Sequence, residues 1–236
     1  MDDHKIKIAV CGESFCTASV INIKDIGPRA HFSQILEDNY GYDVLHLSHG
    51  AFSNKGIFFQ IREAVNQGVD VVVYNKTWPS RIELVQNEDF FPELGLKNFV
   101  YFDPSMPATG QPYVGNKKAP VISTVWQGLE SSPFLDISDE QILAVKLYLK
   151  HMFSYNLEQT LDNWVFEYWN DQMIKANILP ICFNDEDIGK IAYEFSSKNI
   201  HIDSPFHTDR ATQEIIASNV HNRIQKNLGK NISTNH

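Results

Sequence analysis

Two periods alternate along the first 80 residues. Ile6 to Val10, broken only by Lys7, is a short apolar run with β-branched residues, long enough for a buried strand and too short for a helix. Ala30, Phe32, Ile35 and Leu36 then recur at helical spacing; Gly27-Pro28 predicts the start of that helix and Gly41 its end. Asp43 to Leu47 is a second strand. Ile57, Phe58, Ile61, Ala64 and Val65 form the stripe of a second helix closed by Gly68. Asp70-Val71-Val72-Val73-Tyr74 follows, and its unbroken β-branched centre predicts a strand covered on both faces.

From 79 to 137 this rhythm stops. The stretch holds seven prolines, from Pro79 to Pro133, among aromatics such as Phe90, Tyr101 and Tyr113, and sustains neither period. A connection this long is usually functional, so it is expected to be an insertion packed over the strand ends, as an apolar wall or lid, with a structural flap or dimer contact as the alternative. Ser138 and Gln141 are spaced as a capping box and open the longest helical region. Ile142, Val145, Leu149, Met152 and Phe153 give one stripe there; Leu157, Leu161, Trp164, Val165 and Tyr168 give another, and both are assigned to core packing. Ile178 to Phe183 is a fourth strand, Asp185-Glu186-Asp187 a solvated loop, and 188–195 a short helix. Asp209 is placed to cap a final helix on which Ile216, Val220 and Ile224 recur every four residues, with a frayed tail from Gly229.

Strand, helix, strand, helix, strand is the order of a parallel sheet with helices on both sides. The expectation is a three-layer α/β/α sandwich with a central parallel sheet of about five strands, one domain over 1–236 carrying the 79–137 insertion. Composition agrees: 43% hydrophobic and 21% charged residues are ordinary for a globular chain. A formal net charge of -9 argues against nucleic-acid or anionic-membrane partners, which are held by basic surface. The first residues lack the apolar region of a secretory signal, and no window is apolar enough to span a bilayer, so a cytoplasmic location is expected. Oligomeric state is not legible.

Candidate chemistry gathers after the first strand. Gly12 lets the backbone turn sharply, and Ser14 on that turn can stand clear of the sheet where ligands meet the carboxyl ends of strands. Gly followed by an acid and Ser also suits a turn for conformational reasons alone, so the reading depends on a base. His207, four residues after Asp203 and just ahead of the final helix, supplies one, with Asp203 as the group that holds its tautomer. Of the nine histidines His207 is preferred for Asp203 before it and the capped helix after it, while His49 and His201 lie near the same loops. Cys11, Cys16 and Cys182 read as free buried thiols, with Cys16 kept as a rival nucleophile that lacks a base; their spacing does not suggest zinc.

These segments resemble the SGNH (GDSL-like) ester hydrolases. Gly12-Glu13-Ser14 looks like the family's Gly-Asp-Ser block with Glu for Asp. Ser48-His49-Gly50-Ala51-Phe52-Ser53-Asn54 looks like its second block, and Asp203 to His207 like its last, with three residues rather than the usual two between acid and base. The Gly-x-Asn-Asp block is absent; the corresponding strand end reads Tyr74-Asn75-Lys76-Thr77. Ser48-x-Gly-x-x-Ser-Asn and Thr77-x-Pro-x-Arg are also similar to short members associated with tailed phages. The resemblance implies a flavodoxin-like SGNH fold and a Ser14-His207-Asp203 relay. It also implies an oxyanion site built from Gly50, Asn54 and either Thr77 or Asn75, with Thr77 favoured by its nearness to the strand tip. No cofactor or metal is expected.

The function so implied is hydrolysis of small-molecule or carbohydrate acyl esters, acetyl esters first among them. Two alternatives stand beside it. One is a binding or structural protein, for instance a carbohydrate-binding one, that keeps the fold with reduced chemistry. The other is a nucleotide-binding α/β protein using the Gly12 turn, for which the glycine pattern is thin.

Overall fold

The computed structural model describes residues 5–13, 16, 29–48, 53–77, 79, 81–85, 121–125, 139–183 and 210–233. Its elements are β1 (Lys7–Cys11), α1 (Phe32–Tyr40), β2 (Asp43–His46), α2 (Asn54–Asn66), β3 (Val71–Tyr74), β4 (Arg81–Val85), β5 (Val121–Val125), α3 (Asp139–His151), α4 (Tyr155–Lys175), β6 (Leu179–Cys182) and α5 (Arg210–Ser233).

β2, β1, β3 and β6 form one parallel sheet in that order, aligned so that Val10 pairs with His46, Cys11 with Tyr74, and Tyr74 with Cys182. All four carboxyl ends therefore reach one edge. The described sheet has four strands against the about five expected from the pattern.

Side-chain alternation along each strand divides the core in two. Ile8, Val10, Val71, Val73 and Ile181 face α1 and α5, where Phe32, Leu36, Ile216, Val220 and Ile224 meet them. Ala9, Cys11, Val72, Tyr74 and Cys182 face α2 and α4, meeting Ile57, Ile61, Ala64, Phe166 and Met173. Helices thus cover both faces, and the α/β/α architecture read from the pattern is present. It is also why β3 is apolar at every position: each of its residues is buried.

α1 begins later than Gly27-Pro28 predicts. Arg29 has φ 53, which interrupts any helix there, and the cap is His31, whose ring Nδ1 accepts the Ser33 N–H at 3.3 Å. Gly41 closes it at φ 72, as expected. At the other end of the chain α5 runs through Ser233, so the tail expected to fray from Gly229 is helical for one more turn. The 79–137 stretch contains β4 and β5, an antiparallel pair outside the central sheet that its aperiodic pattern does not announce. The wall or lid role expected of the remainder, the 185–187 loop and the 188–195 helix lie outside the described residues.

The main correction concerns α4. The stripe assigned to the core points away from it: Leu157, Leu161, Trp164 and Tyr168 are exposed, Trp164 at 62%. Met152, just past the end of α3, is also exposed. The buried face of α4 is Asp162, Phe166 and Met173. Both sets recur at helical spacing, and the helix is anchored by the one that contains a carboxylate, because Asn54 of α2 satisfies that carboxylate through a hydrogen bond. Phe166 then seats itself against Tyr74, stacked at 5.5 Å, and edge-on to Phe58 at 4.6 Å. No described helix is long and apolar enough to cross a membrane.

Candidate active site

The chain leaves β1 through α1 to β2 on one flank, and β2 leads through α2 to β3 on the other flank of β1. α1 and α2 lie on opposite faces of the sheet. Connections that diverge in this way open a crevice at the carboxyl ends of β1 and β3, where open α/β sheets bind their ligands. Gly12 and Glu13 stand at one lip of that crevice, and Asn75, Lys76 and Thr77 at the other.

The Gly12 turn is tightly determined. Its φ of +143 is a conformation that side-chain-bearing residues rarely adopt. A Cβ at this position would overlap the Asn75 side-chain carbonyl and come within 2.9 Å of Cys16 Sγ. From the α2 side, the carboxamide of Gln60 takes both backbone groups of Gly12. The Gly12 N–H donates to Gln60 Oε1, and Gln60 Nε2 donates to the Gly12 carbonyl at 3.3 Å. From the β3 side, Asn75 Oδ1 accepts the Glu13 N–H at 3.0 Å, and Asn75 Nδ2 donates to Glu13 Oε1 and to the Lys76 carbonyl, each at 3.3 Å.

Downstream the loop is fixed again. Cys16 N–H donates to the Glu13 carbonyl at 2.9 Å, and the Ser48 hydroxyl, just beyond β2, donates to the Cys16 carbonyl at 2.6 Å. Ser14 falls in sequence between these two anchored residues.

Ser14, Gly50, Asp203 and His207 themselves lie outside the described residues. Of the other residues singled out, Asn54 and Thr77 are brought together. Thr77 N–H donates to Asn54 Oδ1 at 2.8 Å, and Asn54 Nδ2 donates to the Thr77 carbonyl at 3.0 Å and to Asp162 Oδ2 at 2.7 Å. Asn54 is the first residue of α2, capped by the preceding Ser53, whose hydroxyl accepts the Gly56 N–H. Its amide therefore fastens the loop after β3, and it is buried. Asn75 is buried as well, immediately beyond the end of β3, with both amide protons committed. Thr77, two residues further on, is half-buried.

No family model matches the chain, and no curated protein matches it. Solved structures do. An acetyl xylan esterase is similar at a TM-score of 0.41 and 11% identity, over 93% of this chain and 100% of that one. A G-D-S-L family protein from Desulfitobacterium hafniense is similar at a TM-score of 0.36 and 10% identity, over 91% of this chain and 97% of that one.

Electrostatics weigh against Cys16 as a nucleophile. Cys16 is fully buried, and burial first, then the nearby Glu13 carboxylate, push its thiol well above the ordinary value. Burial does the same to Cys11. A thiol so held is not a thiolate at neutral pH, and the thiolate is the nucleophile. None of the three cysteines forms a disulfide and all are buried, as the sequence implies. On α4, burial raises the Asp162 carboxyl while its Asn54 hydrogen bond opposes the rise. Among the described residues, no group of three or more His, Cys, Asp or Glu side chains is arranged to hold a metal ion.

Two residues that shape the crevice escape a reading by motif. Gln60 shares the buried face of α2 with Ile57, Ile61 and Ala64, and Asp162 shares that of α4 with Phe166. A polar residue at an apolar position of a helical stripe is the signal that marks both, since a buried polar group needs a partner.

Proposed function

We propose that the chain is a serine ester hydrolase with Ser14 as nucleophile. The observation that supports this most is the anchored Gly12-Glu13 turn. At the crevice where α/β sheets bind ligands, the two residues before Ser14 are held by carboxamides from both sides, and Cys16 just after it is held by Ser48. Preorganisation of that kind suits a nucleophile that must keep one position.

In this mechanism His207 takes the proton from Ser14 Oγ as the oxygen bonds to the ester carbonyl, and Asp203 orients the resulting imidazolium. The N–H groups of Ser14 and Gly50, with the Thr77 hydroxyl, hold the developing oxyanion. Thr77 is preferred to Asn75 because both amide protons of Asn75 are engaged. Asn54 acts through the Thr77 backbone. His207 passes its proton to the departing alcohol, then takes one from water. That water attacks the acyl carbonyl, and His207 returns the proton to Ser14 Oγ as the acyl bond breaks, releasing the acid and restoring the serine. No cofactor enters, and acetyl esters of sugars or small alcohols are the first substrates to try.

Hydrolysis of p-nitrophenyl acetate by the purified protein and by Ser14→Ala tests the proposal. Loss of turnover in the variant is expected, and equal rates remove Ser14 from the mechanism. A second reading, a carbohydrate-binding protein with reduced chemistry, is favoured by the commitment of Asn75 to the turn and by the missing Gly-x-Asn-Asp block. A fluorophosphonate probe separates the two, since it captures only an activated serine.

A further inference from the structure

Gln60 has no place in any motif of the chain, yet it is fully buried and its side chain is devoted to one residue. Its Oε1 accepts the Gly12 N–H, and its Nε2 donates to the Gly12 carbonyl at 3.3 Å. That pairing crosses from the buried face of α2 to the end of β1, 48 residues away in sequence. Gly12 is itself buried, so bulk water does not stand ready to satisfy these two backbone atoms.

Such a pairing determines more than stability. An amide that donates to a carbonyl and accepts from an N–H of the same residue fixes the orientation of the peptide planes on either side of it. Gly12 sits at φ +143, where glycine has wide freedom and its own sterics choose no position. The direction in which the chain leaves β1 is thus set from outside the strand, by Gln60 on one side and by Asn75 one residue later. Ser14 follows two residues after Gly12. A displacement of about 1 Å at a nucleophile can lower a rate about a hundredfold.

We infer that Gln60 is a positioning residue for Ser14, acting through the backbone of Gly12; the inference rests on the hydrolase reading above. Gln60→Glu is the discriminating substitution because it keeps shape and size. In its ionised form, the carboxylate introduced by Gln60→Glu still accepts the Gly12 N–H but turns a negative oxygen toward the Gly12 carbonyl. Once protonated, that carboxyl has an O–H to donate there, and the original pair of hydrogen bonds is restored. Gln60→Met keeps the length of the side chain and removes both bonds without introducing a charge.

The experiment measures fluorophosphonate labelling of the full chain as a saturable process, giving a binding constant and a maximal rate. Circular dichroism and thermal melts set a temperature at which every variant is folded. Wild type labelled at Ser14, and unlabelled in Ser14→Ala, establishes the reading on which the inference rests. The inference then expects Gln60→Met at every pH, and Gln60→Glu at alkaline pH where its buried carboxyl is ionised, to keep a near-wild-type binding constant while the maximal rate falls about tenfold or more. It further expects the Gln60→Glu rate, relative to wild type at the same pH, to climb back as pH falls, whereas the Gln60→Met ratio stays flat. A folded Gln60→Met labelled as fast as wild type overturns the inference and leaves the hydrolase standing. If Gln60→Glu does not fold, Gln60→Met alone decides by the same rate criterion. A wild type that is not labelled overturns both.

Discussion

Asn75 Oδ1 accepts the backbone N–H of Glu13 at 3.0 Å, joining the residue just past β3 to the residue immediately before Ser14 in the loop after β1. The Nδ2 of the same carboxamide donates a hydrogen bond to Glu13 Oε1 at 3.3 Å. The family resemblance offers Asn75 only as the alternative to Thr77 for the oxyanion donor. Its position makes it the tie between the two lips of the crevice.

Replacing Asn75 by Ala leaves the buried Glu13 N–H without that acceptor, and an unmet buried donor costs about 1–3 kcal/mol. Asn75→Ala is expected to lower the unfolding free energy by that amount, read as a drop in the urea midpoint with an unchanged m-value. A midpoint equal to wild type would mean that another acceptor, or water, satisfies the turn.

The layered fold was legible because its signals are local and redundant. β3 is apolar throughout since both faces are covered, and Ile216, Val220 and Ile224 mark the buried side of α5 at one residue per turn. The α4 face is not legible for the opposite reason: apolar residues recur on two faces of the helix, and its packing against α2 and β3 sets which is buried. Gln60 and Asp162 are not legible because their partners are 48 and 108 residues away, and no local spacing encodes such pairings. Gly12 is legible because a strand that ends on glycine advertises its turn.

The corrected face of α4 predicts a contrast between neighbours. Phe166→Ala removes a ring packed on Tyr74 and Phe58 and is expected to cost about 3–5 kcal/mol. Trp164→Ala, two residues earlier and exposed, is expected to stay within about 0.5 kcal/mol. Thermal melts of the two variants side by side check this; comparable losses would put Trp164 in a packed environment.

Burial holds the Asp162 carboxyl above its ordinary value of 3.8. The folded state therefore binds more protons than the unfolded chain above that value, and stability is lost as pH rises through the interval up to the raised one. Asp162→Asn keeps an oxygen to accept from Asn54 and has no charge to bury. It is expected to flatten the stability profile between acid and neutral pH and to equal or exceed wild type at the upper end. Urea unfolding across that range measures it, and a profile that stays parallel to wild type rules Asp162 out as the source.

At Gly12 the conformation and the space agree. A residue with a side chain carries strain of about 1–3 kcal/mol in such backbone regions, and its Cβ would overlap the Asn75 side chain that ties the turn. Gly12→Ala is expected to lose more than about 2 kcal/mol of stability and to abolish fluorophosphonate labelling even where it remains folded. Wild-type labelling in a folded Gly12→Ala protein would show that the turn tolerates another path.

Cys16 closes the comparison between oxygen and sulfur as nucleophile. Its side chain has no exposed surface, and both burial and the Glu13 carboxylate hold it in the thiol form. Disulfide exchange needs a thiolate and access to it, so the native protein at mildly alkaline pH is expected to react with Ellman's reagent far more slowly than the same protein in guanidinium, where Cys11, Cys16 and Cys182 all respond. Cys16→Ala, which keeps the backbone bonds to Glu13 and Ser48, is expected to retain ester hydrolysis. Fast modification of the native protein at Cys16, joined to loss of turnover in Cys16→Ala, would move the nucleophile from Ser14 to the thiol two residues along.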